Sequence, residues 1–360
     1  MIGIITPGNK KYTPYIENYL SILDAQKADY KVMSWDKRNL SEDGVDMRFD
    51  YSIKDANRLG MFFGYIRFIH KCKAFVKKNN IDKLIVLTAA PAFFLGERYL
   101  KKFEQNFILD IRDDSPFIRR FPKTFINICA LANNVIVSSN EFSPWTGRDT
   151  ILCHNVDLEQ LNLHIDDELV IGHQSPVRIV FAGVMIEGNC NLNILSKFKN
   201  DNRFSHLYIG RESNGKKLIM DYVESEDISN VKFEGAYNKD EIINIYRNKA
   251  DLINIFRDKT NVNRNALPNK LYEAVLAGKP LVVFEHNVAI SNYAKEFNLG
   301  IVIPDGQLLI NDYVYDRIQN FDYKEYVSGR KKFLDEVVNE MNEFETVVHK
   351  FANFAGNVKL

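Results

Sequence analysis

The stretch Leu267-Pro268-Asn269-Lys270-Leu271-Tyr272-Glu273-Ala274-Val275-Leu276-Ala277-Gly278-Lys279-Pro280 gathers side chains suited to holding a phosphorylated ligand. Pro268 suits the first turn of a helix, Gly278 suits the left-handed stop, and Pro280 prevents continuation. The spacing therefore predicts a short helix over 268–277 with an open N-terminal end. Such an end carries unpaired N–H groups and a partial positive charge, which favour a phosphate. Lys270 adds a full charge in the first turn, and Glu273 follows one turn later on the same rim. A carboxylate there can accept hydrogen bonds from two adjacent hydroxyls, as on a ribose. The spacing by itself fits a helix-surface ion pair equally well.

Other signals are sparser. Arg112-Asp113-Asp114 follows the apolar run Phe107–Asp110, as a helix N-cap with local ion pairing or as a cleft-side carboxylate, Asp113. Arg211 and Arg257 each follow an apolar run, and Gly8 lies in Thr6-Pro7-Gly8-Asn9 just after the first. His154 and Asn155 read as structural. Several motifs are missing: Gly-x-Gly-x-x-Gly, Gly-x-x-x-x-Gly-Lys-Ser/Thr, Gly-x-Ser-x-Gly and Asp-x-Asp. Their absence argues against a dinucleotide oxidoreductase, a phosphate-loop hydrolase and a nucleophile-elbow hydrolase. It also argues against a metal held on paired aspartates, so no cofactor and no metal are expected.

The elements that position these residues follow a repeated plan. Ile2–Thr6, Tyr30–Ser34, Leu84–Leu87, Phe107–Asp110, Val135–Ser138 and Thr150–Cys153 read as strands, with helices near 13–27, 57–79, 91–104 and 121–132. The pattern restarts with strands Arg178–Ala182, His206–Ile209, Val231–Phe233, Leu252–Ile255, Leu281–Phe284 and Gly300–Ile303, alternating with helices near 191–199, 214–224, 239–248, 268–277 and 288–297. Short β-rich runs separated by helices predict an α/β chain of two Rossmann-like, doubly wound domains facing a central cleft. Ligands of such sheets bind outside the strand C-terminal ends. The expected boundaries are 1–160 and 177–330, with a linker at 161–176 in the polar stretch Leu158–Pro176. A closing helix at 331–360 is expected to pack back on the first domain, within a strandless tail from Tyr323 to Phe354.

Composition agrees with this plan. At 360 residues the chain exceeds one hydrophobic core, and 46% apolar with 26% charged residues suits a folded protein. Lys plus Arg (47) equals Asp plus Glu (47), so no global field favours nucleic acid. Cys72, Cys129, Cys153 and Cys190 are far apart, which points to reduced thiols in a cytoplasmic protein. The start Ile2-Gly3-Ile4-Ile5 lacks the layout of a signal peptide. Leu84–Gly96 and Thr124–Asn140 are too short or too polar to span a bilayer. Met61–Lys78 combines Phe62, Phe63, Tyr65, Phe68 and Phe75 with Arg67, Lys71, Lys73, Lys77 and Lys78. Together with Phe117–Lys123, which holds Arg119 and Arg120, it suits either sheet packing or peripheral contact with an anionic membrane at its inner face.

The string from Pro268 to Pro280 resembles the C-terminal domain of GT-B glycosyltransferases similar to glycosyltransferase family 4, of the bacterial surface-polysaccharide type. These carry Pro-x-Lys-x-x-Glu before Gly-Lys-Pro and an apolar strand. Asn230–Gly235, Lys239–Ile242 and Tyr246–Leu252 match the family's lead-in. Asp110–Pro116, Val135–Ser138 and Ile151–Asp157 are weaker echoes. The resemblance implies a transfer of sugar from a nucleotide-diphosphate sugar to a hydroxyl acceptor, a saccharide or lipid-linked saccharide. The first domain would hold the acceptor and the second the donor, with retained configuration and no metal. Glu273 would bind the ribose, Lys270 would face the diphosphate, and Asn265, Pro268 and Asn269 would lie near the donor. Gly8 would lie in the family's glycine loop. Asp113 is the candidate base if the reaction inverts. Two positions depart from the family: Asn265 stands where a second glutamate is usual, and Gly183–Asn189 lacks the usual Arg and Lys. Arg211 and Arg257 are the replacement cations. A sugar-nucleotide 2-epimerase and a non-catalytic sugar-nucleotide-binding protein are the alternative readings.

Overall fold

The computed structural model describes residues 1–40, 42–51, 58–156, 158–165, 169, 172–185 and 188–354. Part of the expected linker (166–168, 170 and 171) lies outside the described residues, as do Ile186 and Glu187 of the turn that lacks the family's cations. The chain divides into two compact units. One comprises Met1–Asp157 with Val338–Leu360, and the other Leu158–Val337.

The N-terminal unit is built on β1 (Ile2–Thr6), β2 (Tyr30–Asp36), β3 (Met47–Asp50), β4 (Lys83–Leu87), β5 (Phe107–Ile111), β6 (Asn134–Val137) and β7 (Ile151–Leu152). They form one parallel sheet in the order β3-β2-β1-β4-β5-β6-β7. β1, β4 and β5 are buried along their whole length, because helices cover both faces and each run is nearly all apolar. β3 is absent from the strands read in the sequence. It is a short edge strand whose half-buried Met47 and Phe49 alternate with exposed Arg48 and Asp50. The helix expected over 91–104 is a second correction. It breaks into Ala89–Leu95, Glu97–Leu100 and a tight turn at Lys101–Phe103, because Gly96 takes φ 81° between them.

The other unit repeats the plan with β8 (Val177–Ala182), β9 (Phe204–Ile209), β10 (Val231–Glu234), β11 (Leu252–Asn254), β12 (Leu281–Phe284) and β13 (Gly300–Ile303). These too are all parallel, in the order β10-β9-β8-β11-β12-β13. Both sheets are thus doubly wound and Rossmann-like. In each, the strand order reverses beside the first strand, between β1 and β4 and between β8 and β11. The polar stretch after Asp157 begins with a helix, Leu158–His164, and the helices Asn261–Asn265 and Ile310–Gln319 are further elements that periodicity did not mark.

The chain closes with one helix, Tyr323–Asn353. Within the C-terminal unit, Phe333 on this helix packs against Tyr272, Tyr293 and Phe297. Within the N-terminal unit, Phe344 meets Tyr19 edge-on at 5.0 Å. The buried Lys83 Nζ donates to the carbonyls of Phe351 (3.0 Å) and Ala352 (2.8 Å), where a helix C-terminus favours a cation. The four cysteines are buried thiols outside any disulfide. Among the described residues no helix is long and apolar enough to cross a membrane.

One buried residue makes stability depend on acid. His206 in β9 is 2% exposed, and among the described residues neither ring nitrogen has a hydrogen-bond partner. Burial pulls the imidazole down to about 4, with Asp201 acting weakly in the opposite direction. The unfolded chain therefore binds this proton more readily than the folded one, and stability falls as pH drops from about 6.5 towards 4. The loss over that window is expected to reach roughly 3 kcal/mol. Urea titrations of the parent and His206→Leu at pH 7.5 and 4.5 check it: the variant should lose markedly less stability on acidification. Parallel losses in the two proteins would exclude His206 as the cause.

Candidate functional site

The reversal of strand order in the C-terminal unit places the ends of β8 and β11 around a crevice. A cavity of about 190 Å³ lies there, lined by Phe181, Val184, Asn191, Arg257, Pro268 and Lys270 among others. Asn191 is held at its floor. Its carbonyl accepts from Tyr208 Oη at 3.1 Å and from Asn254 Nδ2 at 3.3 Å.

Pro268 is the N-cap of the helix Asn269–Ala277, and Gly278 ends it in the left-handed conformation at φ 70°. Lys270 therefore stands in the first turn with its ammonium 4.4 Å from the centroid of the Phe181 ring. The backbone opposite is shaped to let it in. Gly183 takes φ 133°, and a Cβ there would lie 3.0 Å from Lys270 Nζ. At Gly210 a Cβ would come within 2.1 Å of the Gly183 carbonyl oxygen. The two βα turns pack so closely that each needs glycine.

Glu273 lies one turn further along and is half-buried. Among the described residues no hydrogen bond reaches its carboxylate. Burial raises its pKa above the usual carboxylate value, while Lys270 and Lys239 pull it back. Beside it, burial pushes the Tyr237 hydroxyl up to about 12, with the Glu273 charge adding to the shift. The arrangement pairs a cation at a helix N-terminus with a desolvated carboxylate that has acceptor capacity to spare. Chemically, that suits a phosphate next to a vicinal diol.

The remaining candidates in this unit separate. Arg257 and Pro268 join Lys270 in lining the cavity. Arg211 is exposed beyond β9, and Asn269 is exposed on the helix's first turn. Asn265 ends the short helix Asn261–Asn265. None of these three side chains lines the cavity. Gly183, Phe181 and Asn191 were not singled out in the sequence. Gly183 alone left a signal there, a glycine directly after an apolar strand.

The N-terminal unit has its own pocket, of about 840 Å³, at the β1/β4 reversal. Gly8 and Asp113 both line it, with apolar walls from Met61, Phe62, Tyr65 and Phe117. Asp113 is exposed, and Asp114 pairs with Arg119. Ser115 caps the helix Pro116–Arg120, accepting from the Phe117 N–H at 3.3 Å. Arg112, which the sequence groups with the two aspartates, points the other way into the core. Its guanidinium grips Asp110 at 2.6 and 2.7 Å and donates to the Cys153 carbonyl at 2.9 Å. Tyr19 Oη donates to the same Asp110 at 2.6 Å. Asn155 and His154 belong to the same structural region. Asn155 accepts from Arg112 at 3.2 Å, and the buried His154 meets Glu340 at 2.6 Å.

No protein-family model matches the chain, and no curated protein matches it in sequence. Among solved structures it is similar to the sucrose-phosphate synthase of Thermosynechococcus elongatus, at 14% identity and TM-score 0.64 over 96% of each chain. It is similar to the lipopolysaccharide outer core galactosyltransferase WaaB, at 12% identity and TM-score 0.67 over 96% of this chain and 98% of that one. A third is Anabaena HepE in complex with UDP and glucose, at 12% identity and TM-score 0.60 over 97% and 99%. At these identities the likeness shows the fold: this chain has the two Rossmann-like domains of the GT-B glycosyltransferases.

Proposed function

We propose that the protein is a glycosyltransferase that takes a nucleotide-diphosphate sugar in its C-terminal unit and a hydroxyl acceptor in its N-terminal unit. The observation that carries this reading is the pairing of Lys270 with Glu273. The ammonium sits over Phe181 and Gly183 at the strand-order reversal, and the desolvated carboxylate has no hydrogen bond from the described residues. Glu273 would accept from the two ribose hydroxyls, which return to it the hydrogen bonds that burial removes. Lys270 and the helix N-terminus would take up the charge developing on the leaving diphosphate, which is electrostatic stabilisation without a metal. The bond from the anomeric carbon to the diphosphate oxygen breaks as the acceptor oxygen bonds to that carbon. The acceptor's proton passes to the departing phosphate, with retention of configuration. In an inverting course Asp113 would take that proton instead.

Arg257 supplies a second cation on the cavity wall, and Gly8 leaves room at the mouth of the N-terminal pocket. Exposed Leu59, Phe62, Phe63, Ile66 and Phe121, with Arg67, Arg119 and Arg120, support peripheral contact with anionic lipid. A role in surface polysaccharide or glycoconjugate synthesis suits such a surface.

The deciding experiment is a thermal-shift screen against nucleotide diphosphates and their sugars, in which only the matching nucleotide stabilises strongly. Glu273→Ala is expected to weaken that nucleotide by more than about tenfold, the loss of two hydrogen bonds to a charged group. Unchanged affinity in this variant would remove the central claim.

A further inference from the structure

Thr88 follows β4 and lines the pocket of the N-terminal unit. Its backbone lies at φ 68° and ψ 156°, a region essentially reserved for glycine. Among the described residues, the other non-glycine positions with positive φ are Asn, Asp, Lys and Gln at φ 49–59°. Thr88 is the one β-branched residue in the group, for which positive φ is a genuine outlier. Packing holds it there. Its N–H donates to the Asp110 carbonyl at 2.7 Å, and Ala89 and Ala92 behind it are buried. Glycine would make the same turn without strain, so the turn does not account for threonine. Nor does the hydroxyl serve the fold: it makes no hydrogen bond among the described residues and leaves the following helix uncapped.

We propose that Thr88 is an acceptor-positioning residue, whose hydroxyl is held on a strained backbone to grip a glycoside. The inference rests on the reading of this pocket as the acceptor site. Thr88 and Asp113 line one pocket, so an oxygen of the sugar would accept from the Thr88 hydroxyl while a sugar hydroxyl donates to the Asp113 carboxylate. Met61, Phe62, Tyr65 and Phe117 give that pocket an apolar wall. Tyr65 is itself braced by stacking on Phe94 at 4.9 Å. The occupant is therefore a hexoside with an apolar aglycone rather than a free sugar.

The test reads binding and needs no turnover. Octyl β-glucoside, octyl β-galactoside and octyl α-mannoside, each below its micelle threshold, are titrated by ligand-observed NMR, with the methyl glycosides as controls. The parent is compared with Thr88→Val, Thr88→Ser and Thr88→Gly, and UDP and GDP are titrated alongside. At least one octyl glycoside is expected to bind the parent more tightly than its methyl counterpart. Thr88→Val keeps the shape and the strain but loses the hydroxyl, and should weaken binding by about tenfold or more. Thr88→Ser should stay within about threefold of the parent. Thr88→Gly should bind as weakly as Thr88→Val while melting at or above the parent's temperature, since its strain is relieved. Nucleotide affinity should be the same in all four. Parent-like binding by Thr88→Val, equal weakness of Thr88→Ser and Thr88→Val, or no octyl glycoside bound by the parent each overturns the proposal. Failure of every nucleotide to bind counts against the donor reading alone, because the glycoside titrations stand independently of it.

Discussion

Replacing Lys270 by alanine is expected to lower the rate of sugar transfer by about 10²- to 10³-fold, the usual loss on removing one group that stabilises developing charge. The ground-state complex should suffer less than the chemical step, because the diphosphate becomes more negative at the oxygen that leaves. Lys270→Arg should recover little. The space for the side chain's end is bounded by the Phe181 ring at 4.4 Å and by Gly183, where a Cβ would already be 3.0 Å from the ammonium. A planar guanidinium is larger than that gap. Gly183→Ala should act in the same direction from the other side, through both its φ of 133° and its methyl group. Turnover of the nucleotide sugar found in the thermal screen, measured at saturating donor, gives the result. A Lys270→Ala enzyme within threefold of the parent would mean that the charge is stabilised elsewhere.

The second large effect concerns stability. Arg112→Met should cost about 3–5 kcal/mol, because Asp110 is fully buried and, among the described residues, would keep only the Tyr19 hydroxyl as a side-chain partner. The guanidinium now supplies two charge-assisted bonds to that carboxylate, packs 4.5 Å from the Tyr15 ring centroid, and ties the strand end to the Cys153 carbonyl. Losing it strands a charge away from water. For a unit of this size the cost corresponds to roughly 6–20 °C in melting temperature. The double variant Asp110→Leu/Arg112→Met should regain much of the loss, since removing both charges also removes the desolvation penalty. Calorimetry on the parent, the single and the double variant separates the terms. A double variant no more stable than the single one would show that the hydrogen bonds to Cys153 and Asn155 matter more than the stranded charge.

Together these two predictions distinguish two kinds of charged cluster that look alike as strings of letters. Lys270 with Glu273 lies in the connection between two apolar strands, as Arg112 with Asp113 and Asp114 does. In the first, the helix N-terminus and two glycine turns keep the cation at a cavity. In the second, the arginine turns back into the core and only Asp113 stays at a pocket.

What could be read without a structure was what local forces decide. The strands Ile2–Thr6, Leu281–Phe284 and Gly300–Ile303 are legible to the residue, since each is a short apolar run between turn residues, buried throughout in the first and in part in the other two. Gly278 marked the end of the Asn269–Ala277 helix because only a residue tolerant of left-handed φ stops a helix that way. The i,i+3 spacing places Glu273 one turn after Lys270, near enough to feel its charge, while of the two Lys270 is the one that lines the cavity. The break at Gly96 escaped because glycine is tolerated inside helices, and the surroundings determine whether the chain turns there. The edge strand Met47–Asp50 escaped because four residues alternating half-buried and exposed carry too little pattern.

Tertiary structure alone decided the rest. Whether a charge is buried depends on which distant residues meet it, as Cys153 and Tyr19 meet Arg112 and Asp110 across the sheet. Whether Gly183 must be glycine depends on an ammonium that lies 87 residues further along the chain. The strain at Thr88 is invisible in its neighbours' identities, since packing against β5 imposes it. Sequence spacing sets what a helix or strand presents. Desolvation, close approach and backbone strain come from elements far apart in the chain being packed together, and these three set the chemistry at both pockets.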